Sequence, residues 1–265
     1  MIKIFRHIRK SLLMENKTSK YFKYAIGEIA LVMIGILLAL QVNNWNENRK
    51  QLAHGQTLMF ELMDEITEDI GAFNWAIENL KEGIKNQEAI FKIKDLRSID
   101  TDSLSYIFSM ANVDIKVNTN TFEKIKNQGL TSLSENDSLN KEINQYFDRY
   151  IMSFNRRIDY FWNRYQKRNE YFQEDNTVNF NLNYVEGLDL VSEQDSRKSL
   201  NEFINLPRTK KHIAYTNIDA KAALETIELM KETSIKLIES IHQELSKTQS
   251  NIKPLPNFDY RLTNN

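Results

Sequence analysis

Apolar residues fall along this chain in two unlike patterns. From Tyr24 to Val42 they run almost without a break, YAIGEIALVMIGILLALQV, with Glu28 the one charged position. At about 1.5 Å rise per residue, a helix from Tyr24 to Trp45 is roughly 31 Å long, close to the hydrocarbon thickness of a bilayer. Beyond Trp45 the apolar positions become periodic. Leu58, Leu62, Ile66, Ile70, Phe73, Ile77, Leu80, Ile84 and Phe91 step by threes and fours with one skip, the stripe of a core-facing helix. The pattern predicts a helix from the apolar run to about Lys94, with His54–Gly55 as a flexible joint.

A shorter helix is expected over Asp102–Ala111, and another over Thr121–Gln128, stopped by Gly129. Ser134 to Asp137 has the form of a capping signature and opens a long helix to about Glu174. Its stripe is Leu139, Ile143, Phe147, Tyr150, Phe154, Ile158, Phe161 and Tyr165. Asp175–Asp195 lacks sustained periodicity and reads as a loop. The last helical region spans about Pro207 to Thr248, with Leu224, Ile227, Ile235, Ile238, Ile241 and Leu245 as its stripe and Thr216–Asp219 as a candidate break. The tail, holding Pro254 and Pro256, reads as extended.

The expected fold is therefore all-α, with an N-terminal transmembrane helix continuing into an extracytoplasmic antiparallel helical bundle of roughly four-helix cross-section. Its parts are a basic cytoplasmic arm at 1–23, a transmembrane helix at 24–42, a bundle at 43–252 and a tail at 253–265. Composition agrees. Seven glycines and three prolines in 265 residues are too few for turn-rich β folds or Gly-rich nucleotide sites.

Charge sets the orientation. Up to Lys23 there are seven basic residues against Glu15, a balance of +6; with −1 overall, the remainder carries −7. The far flank of the apolar run offers only Arg49 and Lys50 nearby. Positive flanks stay inside, which puts the N-terminus in the cytoplasm and the bulk of the chain outside it, in the periplasm if the cell has two membranes. The chain has no cysteine, which excludes disulfides, thiolate metal sites and Cys nucleophiles.

Lys3, Arg6, Arg9 and Lys10 alternate with Ile2, Phe5, Ile8, Leu12 and Leu13, a basic amphipathic arm suited to an anionic lipid surface. The simpler reading is a topology signal. A cleaved signal peptide is disfavoured by the long basic region and by the lack of a small-residue cleavage site after Leu40. Tyr21, Phe22, Tyr24 and Trp45 stand where interfacial aromatics belong. Glu28, one turn inside, is either an intramembrane partner contact or a carboxylate that reaches the headgroups. Gly35 and Ala39, with Gly27 two turns earlier, form a small-residue face on which a second helix could approach closely.

Chemistry is sparse. Glu239–His242 is the one E-x-x-H; a di-iron bundle needs two such motifs and two further glutamates, and His54 and His212 lack the partner Glu. His242 reads instead as an exposed or helix-end histidine. Glu61, Asp64, Glu65, Glu68 and Asp69 form an acidic face, either a site for a divalent cation or basic partner, or a solvated helix face. The stretch from Tyr146 to Phe172 interleaves aromatics with Arg149, Arg156, Arg157, Arg164 and Arg168. Such residues can stack on bases, but aromatics at helical spacing build core, and no nucleic-acid partner is expected. No hydrolase elbow, P-loop, dinucleotide fingerprint or zinc-protease motif occurs, and no cofactor is called for.

The string Tyr24-Ala25-Ile26-Gly27-Glu28-Ile29, then Ile34-Gly35-Ile36-Leu37-Leu38-Ala39-Leu40-Gln41-Val42-Asn43-Asn44-Trp45-Asn46-Glu47, follows the basic Phe5-Arg6-His7-Ile8-Arg9 arm. It resembles a Bacteroidota family of single-pass membrane proteins, domain-of-unknown-function family 6090. Thr121-Phe122-Glu123 to Gly129 and Ile143-Asn144-Gln145-Tyr146-Phe147 look like its internal segment, with Gln128 where a small residue is expected. The resemblance implies a cell-envelope protein and supplies no activity, ligand or catalytic residue. The expected function is a non-enzymatic, membrane-tethered module that meets membrane lipid and a protein partner or a second copy of itself. The competing expectation is an envelope enzyme or metal-dependent protein using Glu239 and His242 or the acidic face.

Overall fold

The computed structural model describes residues 18–93, 115–174, 192–249 and 251–258, and among them helix is the only extended regular structure. Without an internal proline, helix α1 runs from Thr18 to Lys92. It is continuous across His54 and Gly55, and there the chain divides into two compact units, one ending at Gly55 and one starting at Gln56.

In the first unit every side chain from Ile29 to Gln51 is exposed. The apolar run is thus a bare helix, with Leu31, Leu37 and Val42 all more than half exposed. An 18-residue window here averages a hydropathy of 2.3, and none of it is buried.

The second unit has a core. The rest of α1 buries Leu58, Leu62, Ile66, Ile70, Phe73, Ile77, Leu80 and Ile84, as the periodicity predicts. The expected last member fails: Phe91 is 48% exposed, and Ile90 is buried instead. Past Ile84 the inward positions are Gln87 and Ile90, two three-residue steps that rotate the buried face by about 120°. Ile90 lies outside the main core cluster, as do Phe203, Ile204 and Ile213 of later helices. The end of α1 therefore serves a different set of neighbours. The helix expected at Asp102–Ala111 falls outside the described residues.

Helix α2, Asn120–Asn127, ends as its glycine dictates. Gly129 adopts φ +69, its N–H donates to the Lys126 carbonyl, and the Leu130 N–H reaches back to Ile125. These two bonds form a Schellman motif, which relieves orphan carbonyls of the last turn.

Helix α3, Asp137–Gln145, has a cap two residues later than the sequence signature implied. Asn136, not Ser134, accepts the N–H groups of Ser138 and Leu139. Ser134 Oγ is already occupied, accepting from Asn136 N and donating to Glu244. A π-helical turn, Tyr146–Tyr150, then joins α3 to α4, Ile151–Glu174. This turn corrects the expected stripe at one position. A wider turn absorbs about one extra residue, so the buried series shifts from Phe147 to Ile151 rather than to Tyr150, which is 40% exposed. Phe154 and Ile158 are buried as the spacing predicts, and Phe161 and Tyr165 are half-buried.

The expected loop at Asp175–Asp195 is shorter than the sequence reading. Residues 175–191 lie outside the described set, but Glu193 already starts α5, Glu193–Asn205, capped by Ser192 through the Asp195 N–H. Helix α6, Pro207–Ser246, opens with proline at its first position and has no break at Thr216–Asp219. The polar residues there are accommodated: Thr216 Oγ1 bonds the His212 carbonyl, and buried Asn217 donates to Gln87 and weakly to the Ile84 carbonyl. The tail from Ile252 to Phe258 is non-helical and lies on the core through Ile252, Leu255 and Phe258.

Contacts from α1 to α6 and the turn that follows it run in opposite residue order. Gln56 meets Thr248, Lys81 meets Glu228, and Glu88 meets Lys221. Helices α3 and α4 do the same against α6: Glu142 meets Ser240, Tyr146 meets Ser234, and Arg164 meets Asp219.

Candidate functional site

The acidic face of α1 is where the chain concentrates unusual electrostatics. Glu61, Glu65 and Asp69 are four residues apart and share one side of the helix. All three are spoken for by a single downstream segment. Glu61 receives Lys124 Nζ at 2.7 Å; both Glu65 oxygens receive the Thr121 N–H, at 3.0 and 3.2 Å; both Asp69 oxygens receive the Asn118 N–H at 3.2 Å. Positions rise along α1 as they fall along the segment, so the three contacts form a ladder. Thr121 lies in the first turn of α2, whose own cap residue, Thr119, makes no side-chain cap bond. Glu65 therefore supplies from another helix the negative charge that a helix N-terminus favours. Asp64 and Glu68 are exposed. The acidic face is thus neither wholly solvated nor free for a cation: three of its five carboxylates hold the chain to itself.

Asp69 differs from its neighbours in burial. It is 7% exposed, and burial pushes its carboxyl up to about 7, against the partial relief of the Asn118 bond, with Glu65 and Glu68 adding like charge. Its negative charge also bears on Tyr146, whose phenol is held well above its ordinary range chiefly by burial. Tyr146 OH and Ser234 Oγ are 2.8 Å apart, and Ser234 Oγ donates to the Met230 carbonyl. A serine has one hydroxyl proton, so Tyr146 is the donor in this pair. Phe147, next in sequence, stacks on Phe122 of α2 at 4.4 Å between centroids. Ladder, π turn and α2 are therefore one packed assembly.

A family model described as "Family of unknown function (DUF6090)" matches residues 28–206, more than half of the 265 residues. The chain belongs to that family. No curated protein and no solved structure matches it. The DUF6090 match begins at Glu28 in the apolar run and takes in the whole ladder, the π turn and α5. It stops one residue before α6, so Ser234, Glu239, His242 and Glu244 lie beyond it.

The remaining sequence candidates are dispersed. Glu239 is exposed, and a ring nitrogen of His242 lies 3.0 Å from the Lys253 carbonyl, so that histidine touches the tail. Among the described residues of this DUF6090 member, no three His, Asp or Glu side chains gather as metal ligands would. The aromatic helix is divided. Tyr146, Phe147 and Phe154 are core, while Arg164 and Arg168 converge on Asp219, with Arg164 also bonding Tyr160 OH at 2.9 Å. In the anchor, a Cβ added at Gly27 or Gly35 would meet nothing within 4 Å, so no contact inside the chain requires these glycines. Ala39 and Trp45 are exposed, and Arg49 sits 6.0 Å over the Trp45 ring. The Tyr24 side chain and the arm residues Lys3, Arg6, Arg9 and Lys10 fall outside the described set. That backbone amides read the acidic face is invisible in the sequence, because pairs of an amide and a carboxylate about 50 residues apart leave no periodic signal.

Proposed function

We propose that this DUF6090 protein is a single-pass, membrane-anchored helical module without enzymatic activity, which binds a partner protein or senses a ligand outside the cytoplasm. One observation carries the reading. A helix with a window hydropathy of 2.3 has none of that window buried, whereas the same helix past Gly55 buries an apolar stripe from Leu58 to Ile84 in a core. An apolar surface of this length left open to water is unfavourable, and a bilayer is the solvent that suits it. The +6 arm before the anchor supports a cytoplasmic N-terminus in the inner membrane, with the bulk of the chain in the periplasm.

In this reading the second unit is an antiparallel, roughly four-helix bundle, supported by the opposed residue order of the contacts to α6. Its surface then offers the binding site, and the exposed Gly35–Ala39 face offers a place for self-association in the lipid. The test is a pair of measurements on the full chain. A reporter active only outside the cytoplasm, fused after Thr248, should be active, and alkaline washing should leave the protein in the membrane pellet. Crosslinking in intact cells, then detergent purification and mass spectrometry, should recover a partner or a dimer. Release by alkaline washing, or recovery of monomer alone under conditions that keep known envelope complexes together, would overturn the reading.

A further inference from the structure

Asp69 is a buried carboxylate that no cation pairs with among the described residues. The groups that face it can be named element by element. From α1 come Glu65 and Glu68, both like-charged; from the segment ahead of α2 comes the Asn118 N–H; from the π turn comes the phenol of Tyr146, which α6 holds through the Ser234 hydroxyl. One N–H is shared between the two carboxylate oxygens. The nearest ladder cation, Lys124, is taken by Glu61, and Lys126 by Asp148. An ionised carboxylate in such a place holds its charge against burial and two like neighbours, with a single donor to offset them.

We propose that Asp69 is a proton-operated latch for the segment Ile115–Thr121: neutral, it lets the segment lie tightly on α1, and ionised, it loosens that docking. Either form can accept the Asn118 N–H, but only the ionised form brings a third negative charge beside Glu65 and Glu68 into a site closed to water. The sign follows from linkage. The docked carboxyl titrates near 7, while a solvated one titrates near its ordinary 3.8. Docking is therefore fully favoured at low pH and weakens as pH rises, by up to about tenfold per unit between those two values. Glu65 is the natural amplifier, because it grips Thr121 on the same segment and repels Asp69 across one helical turn.

The experiment uses the full chain in lipid nanodiscs. Amide protection factors for residues 115–124 are measured by hydrogen exchange between pH 5.5 and 8.5, corrected for intrinsic exchange, with the α6 amides around Ser234 as an internal control. In the wild type, protection of the segment should fall at least tenfold across this range while the control holds. In Asp69→Asn, which keeps an acceptor but cannot ionise, the fall should disappear. In Glu65→Gln the midpoint should move to lower pH, because without the like charge of Glu65 the Asp69 carboxyl ionises more readily. A wild-type segment whose protection does not change with pH, or an Asp69→Asn segment that retains the wild-type dependence, overturns the latch. Should Asp69→Asn fail to fold, the Asp69 carboxyl is titrated directly in the wild type by carbon-13 shift. A midpoint near 4 overturns the proposal, and one near 7 supports it.

Discussion

The hydroxyls of Tyr146 and Ser234 meet at 2.8 Å inside the core, with Tyr146 donating and Ser234 passing its own proton to the Met230 carbonyl. Because the direction is fixed, the two deletions are unequal. Tyr146→Phe leaves Ser234 bonded to Met230 and should cost about 1 kcal/mol, an ordinary hydrogen bond. Ser234→Ala strands a buried phenol proton and should cost more, about 1–3 kcal/mol. Urea unfolding followed by circular dichroism ranks the pair, and equal losses would contradict the assigned direction.

The correction to the α1 stripe makes a second comparison. Ile90 is 5% exposed and Phe91 is 48% exposed, although the longer apolar side chain is the one that periodicity favours. Ile90→Ala should destabilise by about 2–5 kcal/mol, whereas Phe91→Ala should stay within about 0.5 kcal/mol. Thermal unfolding of the two variants decides the matter.

Most of the helical frame could be read from apolar spacing because each long helix buries one continuous face. Leu58 to Ile84 and Ile227 to Leu245 are the plain cases. The misreadings have local causes that spacing does not carry. The π turn at Tyr146–Tyr150 put Ile151 in place of Tyr150 on the buried face, and the side chain of Asn217 found Gln87 within an unbroken α6. Helix α5 was missed, although Ser192 with Asp195 three residues on was its cap signal. The acidic face was visible as a cluster, but which amides it would grip depended on where Asn118 and Thr121 come to lie.

Glu244 provides the usual pH response, opposite in sign to Asp69. Its bond from Lys247, then those from Ser134 and Asn136, hold its carboxyl below the ordinary range, with burial opposing. A carboxyl lowered by folding stabilises the protein above its unfolded value, and that contribution is lost as pH falls through the folded one. Glu244→Gln should therefore flatten the acid limb of the stability curve below about pH 4.5 and leave the neutral region's slope to other groups. Urea midpoints measured from pH 3 to 7 test this.

Gly129 has a positive φ, yet an added Cβ there meets nothing within 4 Å. Gly129→Ala should thus destabilise through backbone conformation alone, by about 1–2 kcal/mol. Gly71, with a Cβ equally free and no positive φ, should respond in the opposite direction. Gly71→Ala should stabilise by about 0.4–1 kcal/mol, because it lowers the entropy of the unfolded chain inside a helix. Calorimetric unfolding of both variants gives the two signs.

Leu37 separates a membrane anchor from a helix that merely lies in water. It is 60% exposed, near the middle of the apolar run. On a helix in water, Leu37→Lys removes an exposed apolar side chain and should be neutral or improve solubility. In a bilayer the same charge stands near mid-depth and costs about 2.5–3.5 kcal/mol on insertion scales. The variant should then appear partly in the soluble or degraded fraction, while Asn46→Lys, beyond Trp45, should stay membrane-bound. Quantitative fractionation of the three proteins makes the comparison. Equal membrane retention of wild type and Leu37→Lys would remove the main support for the anchor, since no other helix among the described residues is long and apolar enough to replace it.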